Sequence, residues 1–239
     1  MSALTSSVKA MVFDTFGSVV DWRGSITRDL TRWGAENGYS CDWTALAVRW
    51  RSLYQPSMEK VRSGAREWTI LDVLHRESLE QLLPEFGLEK MTEAERQHVN
   101  KVWHRLDGWP DAVAGLTRLK SKYIIAPLSN GNVSLLTDIA KYTGLPWDLN
   151  LSTEVFRCYK PQPQSYLGVA KILQLDPSEV MMCAAHNDDL AAARKAGLKT
   201  AFWPRPTEHG PEQKTNLTAT ENWDVVAKDI RDLATQMGV

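Results

Sequence analysis

The sequence predicts an α/β fold: an open parallel sheet covered by helices on both faces, with a helical cap inserted after the first strand. Three observations carry this. After Pro110, short apolar runs alternate with amphipathic helical stretches, the pattern of successive strand–helix units. One further apolar run, "MVFDTF", stands alone near the N-terminus. The text between, from Gly24 to Trp109, has helical spacing and few β-branched runs. The core is therefore split into residues 1–18 and 110–239, and the cap spans 19–109.

The elements follow in order. "MVFDTF" is the first strand. In the cap, "EWTILDVLHRESLEQLL" sets Leu71, Leu74, Leu79 and Leu82 on one helical stripe. "MTEAERQHVNKVWHRL" is a second cap helix, opened by Thr92 with Glu95 three residues on, a capping box. "YIIAPLSN" is a strand, and "NVSLLTDIAKYTG" a helix ended by Gly144. "WDLNLST" is expected to be a strand. "PQSYLGVAKILQL" is a helix entered through prolines, and "EVMMCAA" a strand. "DDLAAARKAGL" is a helix with acids first and Gly197 last, as dipole and capping rules favour. "KTAFWP" is the last strand. "RPTEHGPEQKTNLTATEN" is polar and loop-like, and "WDVVAKDIRDLATQM" is expected to close the chain as a helix.

Composition narrows the function. A chain of 239 residues can bury a large core. Lys+Arg is 28 against Asp+Glu 29, which gives no support for a nucleic-acid or anionic-membrane partner. No apolar run is long enough to span a bilayer, and "MSALTSSVKA" lacks the apolar stretch of a signal peptide. Cys41, Cys158 and Cys183 match no metal-ligand spacing, so they are expected to be reduced in a cytoplasmic protein. Ten tryptophans is a high number, and some of them are expected to line an apolar pocket.

In an open parallel sheet, ligands bind beyond the carboxyl ends of the strands. There the sequence places Asp14, Ser129, Asn130, Lys160, His186 and Asp189. Each has a plain structural explanation: a turn carboxylate, Ser-Asn-Gly turn material, a solvated lysine before Pro161, helix-opening acids. Each also has a chemical one. Asp14 is a candidate nucleophile that can form an ester. Ser129 and Asn130 can orient an anion. Lys160 can hold a carboxylate ionised, with Tyr166 bonding to it or packing beside it. His186 and Asp189 can position a water. Arg51, beside Trp50 and Tyr54, can reach over from the cap to hold an anion.

These pieces, in this order, resemble the haloacid dehalogenase superfamily. "FDTFGS", "LSNG", "YKPQPQSY" and "AAHNDDL" resemble its four motifs, and the resemblance covers nearly the whole chain. It implies a Rossmann-like core with a cap. Phosphatases of that superfamily usually carry a second Asp two residues after the nucleophile, but here Phe16 stands there. An aromatic ring cannot transfer a proton, and a halide leaving group needs none. The pattern is similar to the type II L-2-haloacid dehalogenases, which use no metal and no cofactor. The resemblance implies an aspartyl ester on Asp14. The halide would be held by Arg51 and Asn130. The substrate carboxylate would be held by Ser129 and the amides of Thr15 and Phe16. Lys160 would keep Asp14 ionised, and Asp189 would serve the hydrolytic water.

Ala184 and His186 replace the family's commoner Ser and Asn, and Ser18 its Thr. With "WRGS" and "SMEKVRSG", this variant resembles a subgroup with members that release fluoride from fluoroacetate. His186 would then serve the water or halide site, and Phe16, Trp22 and Trp50 would crowd the pocket. The partners so implied are a small 2-haloacid, its halide product and a second copy of the chain in a homodimer. The alternatives are a phosphatase of the same superfamily, or a non-catalytic member that binds a partner.

Overall fold

The computed structural model describes residues 3–239. Five parallel strands form one sheet: β1 (Ala10–Phe13), β2 (Ile124–Pro127), β3 (Val180–Ala184), β4 (Lys199–Phe202) and β5 (Val225–Val226), in the order β2-β1-β3-β4-β5. β1 is central and pairs in parallel with both neighbours, Phe13 lying opposite Pro127 and Cys183. The chain leaves β1 for β2 on one side and returns to β3 on the other. That is a topological switch point, where a crevice opens beyond the strand ends. Asp14 is the first residue past β1, and its N–H donates to the Cys183 carbonyl at 3.0 Å.

Both sheet faces are buried, which explains why the strands read as continuous apolar runs. Met11 and Phe13 point into one core with Leu116, Leu119, Ile139, Ile230 and Leu233. These come from α6 (Ala112–Lys120), α7 (Val133–Thr143) and α10 (Ile230–Gln236). Ala10 and Val12 point into the other, against Tyr166 and Val169 of α8 (Pro163–Leu173) and Leu190 and Ala193 of α9 (Asn187–Lys195). α7 ends at Gly144, which takes the left-handed φ of 73°.

Between β1 and β2 the chain inserts α2 (Trp22–Asn37), α3 (Trp43–Arg62), α4 (Leu71–Glu85) and α5 (Glu93–Asn100). Leu71, Leu74, Leu79 and Leu82 are all buried on one stripe of α4. The Thr92–Glu95 capping box opens α5, which gives way to a 3₁₀ turn at Lys101–His104. A short N-terminal helix, α1 (Ala3–Ser7), precedes β1. No helix among the described residues is long and apolar enough to cross a membrane.

Two expectations fail. Residues 147–153 form no strand. The Asp148 N–H donates to the Ile125 carbonyl, and its carboxylate accepts the Ile125 N–H. One residue thus satisfies the sheet edge, and the segment runs on into a 3₁₀ turn at Thr153–Phe156. The closing "helix" is divided: Val225 and Val226 extend the sheet beside β4, and α10 starts only at Ile230, where the Asp229 side chain caps it.

Candidate active site

The strand ends and the cap line a solvent-open cavity of about 1010 Å³. On its floor, Asp14 is buried and saturated with donors. Lys160 Nζ reaches Oδ1 at 2.9 Å. Ser18 Oγ donates to Oδ2 at 2.7 Å, and His186 Nδ1 lies 2.9 Å from the same oxygen. The Ser18 hydroxyl in turn accepts the Ala185 N–H at 2.9 Å, which locks the loop after β1 to the loop after β3. Burial alone would raise the Asp14 pKa. The Lys160 ammonium and the His186 hydrogen bond outweigh it and hold the carboxylate well below the ordinary range.

Lys160 bridges two acids, its ammonium lying 2.5 Å from Asp189 Oδ2 as well. Burial opposes its charge, but the two carboxylates raise its pKa, so it stays protonated. Asp189 stands in the first turn of α9. Burial and the nearby Asp14 charge push its pKa up against the pull of Lys160. Tyr166 of α8 donates to Asp189 Oδ1 at 2.7 Å. Its partner is therefore Asp189, not Lys160. Among the described residues no cluster of three or more His, Cys, Asp or Glu side chains is disposed to hold a metal ion.

The residue that sequence reasoning missed is Glu208. It lies in the polar loop after β4, yet it is 1% exposed. Its Oε2 meets His186 Nε2 at 2.8 Å, and Trp22 Nε1 donates to its Oε1 at 3.1 Å. His186 thus bridges Asp14 and Glu208. Burial disfavours an imidazolium there, but the two carboxylates overcome this and raise its pKa well above the usual value. The one trace of it in the sequence is a glycine in the loop after β1. Gly17, at φ 85°, has no room for a side chain, because a Cβ would fall 2.0 Å from Glu208 Oε1.

The cap supplies the opposite wall. The Arg51 guanidinium lies over the ring of Tyr54 at 4.1 Å, with Trp22 at 5.6 Å and Phe16 at 5.9 Å. Its Nη1 is buried without a hydrogen-bond partner. Phe16 meets Trp103 edge-on, and Trp22 stacks on the same ring. Trp50 stands behind this wall, donating to the His75 carbonyl, and is not among the residues lining the cavity.

Asn130 lines the cavity, and its Oδ1 accepts the Lys160 N–H at 2.8 Å. Ser129 is fully buried, accepts the Gly131 N–H, and does not line the cavity. The Thr15 hydroxyl is buried without a partner, also off the cavity lining. The structure therefore gathers Asp14, Lys160, Asp189, His186, Asn130, Tyr166, Phe16, Trp22 and Arg51 around one space and leaves the side chains of Ser129 and Thr15 outside it.

The chain matches the haloacid dehalogenase-like hydrolases over residues 8–197, and it belongs to that family. It is 28% identical over 242 residues to (S)-2-haloacid dehalogenase 4A of Burkholderia cepacia, which covers 97% of this chain and 100% of the relative. It superposes on the crystal structure of a defluorinating L-2-haloacid dehalogenase with a TM-score of 0.95 and 50% identity, over 97% of this chain and 96% of that one. A second L-2-haloacid dehalogenase structure gives 0.94 and 49%, over 96% and 98%.

Proposed function

We propose that this chain hydrolyses short L-2-haloacids to 2-hydroxy acids through an aspartyl ester on Asp14. One observation carries the reading: a buried carboxylate, held ionised by Lys160, shares its cavity with an Arg51 guanidinium that has an unpartnered nitrogen among aromatic rings. The first arrangement suits a nucleophile and the second a departing anion. The activities of the relatives support it.

Asp14 Oδ2 already accepts from Ser18 and His186, whereas Oδ1 accepts only from Lys160. Oδ1 therefore keeps a free lone pair and attacks C2 in line, which inverts that carbon and expels the halide toward Arg51 and Asn130. The amides of Thr15 and Phe16 receive the substrate carboxylate. Phe16 and Trp22 exclude water from the carbon under attack. No proton is needed for the leaving group, which agrees with an aromatic ring at position 16. Esterification removes the Asp14 charge and leaves His186 paired with Glu208 alone. His186 and Asp189 then direct water onto the ester carbonyl, Asp189 accepting its proton. The acyl C–O bond breaks, the departing alkoxide takes up a proton to leave as the 2-hydroxy acid, and Asp14 is restored as a carboxylate. The same route applied to fluoroacetate gives glycolate and fluoride.

Incubating excess enzyme with chloroacetate, 2-chloropropionate or fluoroacetate in ¹⁸O-water with EDTA tests this. Halide release with the heavy isotope in the Asp14 peptide is expected. Label only in the product, in a single turnover, would mean direct attack by water and would overturn the ester.

A further inference from the structure

Lys160 owes its place between the two acids to a short stretch of backbone, and that backbone is gripped from both sides. On the core side, its N–H donates to Asn130 Oδ1 at 2.8 Å. On the cap side, Arg62 Nη1 donates to its carbonyl at 3.0 Å. Pro161 follows and offers no N–H, and the Gln162 N–H closes the turn on the Tyr159 carbonyl at 3.0 Å.

The neighbours on either side also reach the cap. The Tyr159 hydroxyl donates to the Thr69 carbonyl at 2.6 Å, and Gln162 Nε2 donates to the Arg62 carbonyl at 3.3 Å. The Arg62 guanidinium is itself aimed. Its Nε donates to Glu59 Oε2 at 2.8 Å and its Nη1 to Gln55 Oε1 at 2.9 Å, both on α3. Arg62 is the last residue of α3, the helix that also presents Arg51 and Tyr54 to the cavity.

We infer that Arg62 is a positioning residue, which couples the seating of the cap to the placement of the Lys160 ammonium between Asp14 and Asp189. One helix then sets both charged groups that the reaction needs: Arg51 directly, and Lys160 through its carbonyl. A cap that is not seated leaves Asp14 without a correctly placed countercharge, so chemistry waits for closure. This rests on the reading of Asp14 as nucleophile.

The test has two readouts. The first is the ¹⁵N resonance of the Lys160 ammonium in the resting protein, assigned by its loss in Lys160→Met. In wild type it is expected to be visible and slow to exchange with water. In Arg62→Met, exchange accelerates by roughly tenfold or more, and Arg62→Lys, which can still donate to the carbonyl, restores the signal. The second is halide release from chloroacetate. Arg62→Met is expected to lower kcat by roughly ten- to a hundredfold, with KM changed by less than about threefold, and Arg62→Lys to recover most of it.

Arg49→Met, which removes a cap arginine paired with Glu85, controls for loss of cap stability and is expected to leave both readouts unchanged. Arg62→Gln replaces Arg62→Met should the latter not fold. An unaltered Lys160 resonance in the variant, a resonance lost equally in Arg49→Met, or a rise in KM alone would overturn the coupling. A wild type that releases no halide would overturn the proposed function instead, while the resonance still decides the role of Arg62.

Discussion

At the base of the cavity the oxygens of Asp14 and Asp189 each have a donor, as do those of Glu208 behind the lining. Asp14 meets Lys160, Ser18 and His186; Asp189 meets Lys160 and Tyr166; Glu208 meets His186 and Trp22. On the cap side the polar groups are left over. Arg51 Nη1, both ring nitrogens of His75 and Trp103 Nε1 are buried without partners. His75 stacks on Trp103 at 4.2 Å, and burial drops its pKa to about 3, so the ring is neutral. The floor is finished before any substrate arrives: its charges are fixed, and reaction requires no reorganisation there. Of the groups left over on the cap side only Arg51 lines the cavity, and in the proposed reaction the leaving anion pairs with it. The two regions should therefore respond differently to substitution, the floor in the chemical step and the wall in anion stabilisation.

The strongest way to break this contrast is Lys160→Met, which leaves Asp14 and Asp189 buried without their shared cation. Halide release should fall by roughly a thousandfold or more. The pH profile should change with it. In wild type the depressed pKa keeps Asp14, the proposed nucleophile, ionised below the ordinary carboxylate range. Without Lys160, desolvation dominates, and the acid limb of kcat/KM should move to higher pH. An unmoved limb would mean that the lysine does not set the charge of Asp14.

Arg51→Met tests the wall. A loss of roughly a hundred- to a thousandfold in kcat/KM is expected, with product inhibition by chloride weakened in steady-state assays. Inhibition by chloride at wild-type strength would move the halide away from Arg51.

Glu208→Gln should cost about ten- to a hundredfold in kcat, seen in rapid-quench experiments as slower ester hydrolysis with ester formation little changed. It should also change stability with pH. The His186 pKa is raised in the folded state, so its contribution is complete below the unfolded value and fades as pH rises through the folded one. The Glu208 pKa is lowered, so its contribution is present above its unfolded value and fades as pH falls through the folded one. The gap between wild type and variant in denaturant titrations should thus be widest between about pH 4.3 and 6.5, the two unfolded values.

The smallest effect comes from a site remote from both regions. Thr92→Ala removes the capping box of α5 and should destabilise the protein by about 1 kcal/mol, with no change in halide release.

Much of this was legible in the sequence because it is written in order. Strand ends mark the crevice, so Asp14, Lys160 and Asp189 could be picked out from their positions after β1, before Pro161 and at the head of α9. The Thr92–Glu95 pair and Gly144 marked helix boundaries because caps are local chemistry. What failed had no local signature. Residues 147–153 alternate like a strand, but a single side chain, Asp148, takes over the sheet edge. Glu208 sits in a polar loop without periodicity, and its partners lie 22 and 186 positions away. Only Gly17 hinted at it, and a glycine says that space is short without saying what fills it.

The separation between Gly17 and Glu208 bears on when the enzyme becomes one. The contacts that complete the floor span 146, 172 and 186 residues, so none can close while the chain is still short. Asp14 emerges from the ribosome long before His186 and Glu208, the groups that reach it directly and indirectly. A nascent chain carries the proposed nucleophile, Asp14, without Lys160 and His186, which hold its carboxylate. The site is therefore completed only late in the chain, and a chain truncated before Glu208 retains β1 to β4 yet lacks β5 and the acid that steadies His186.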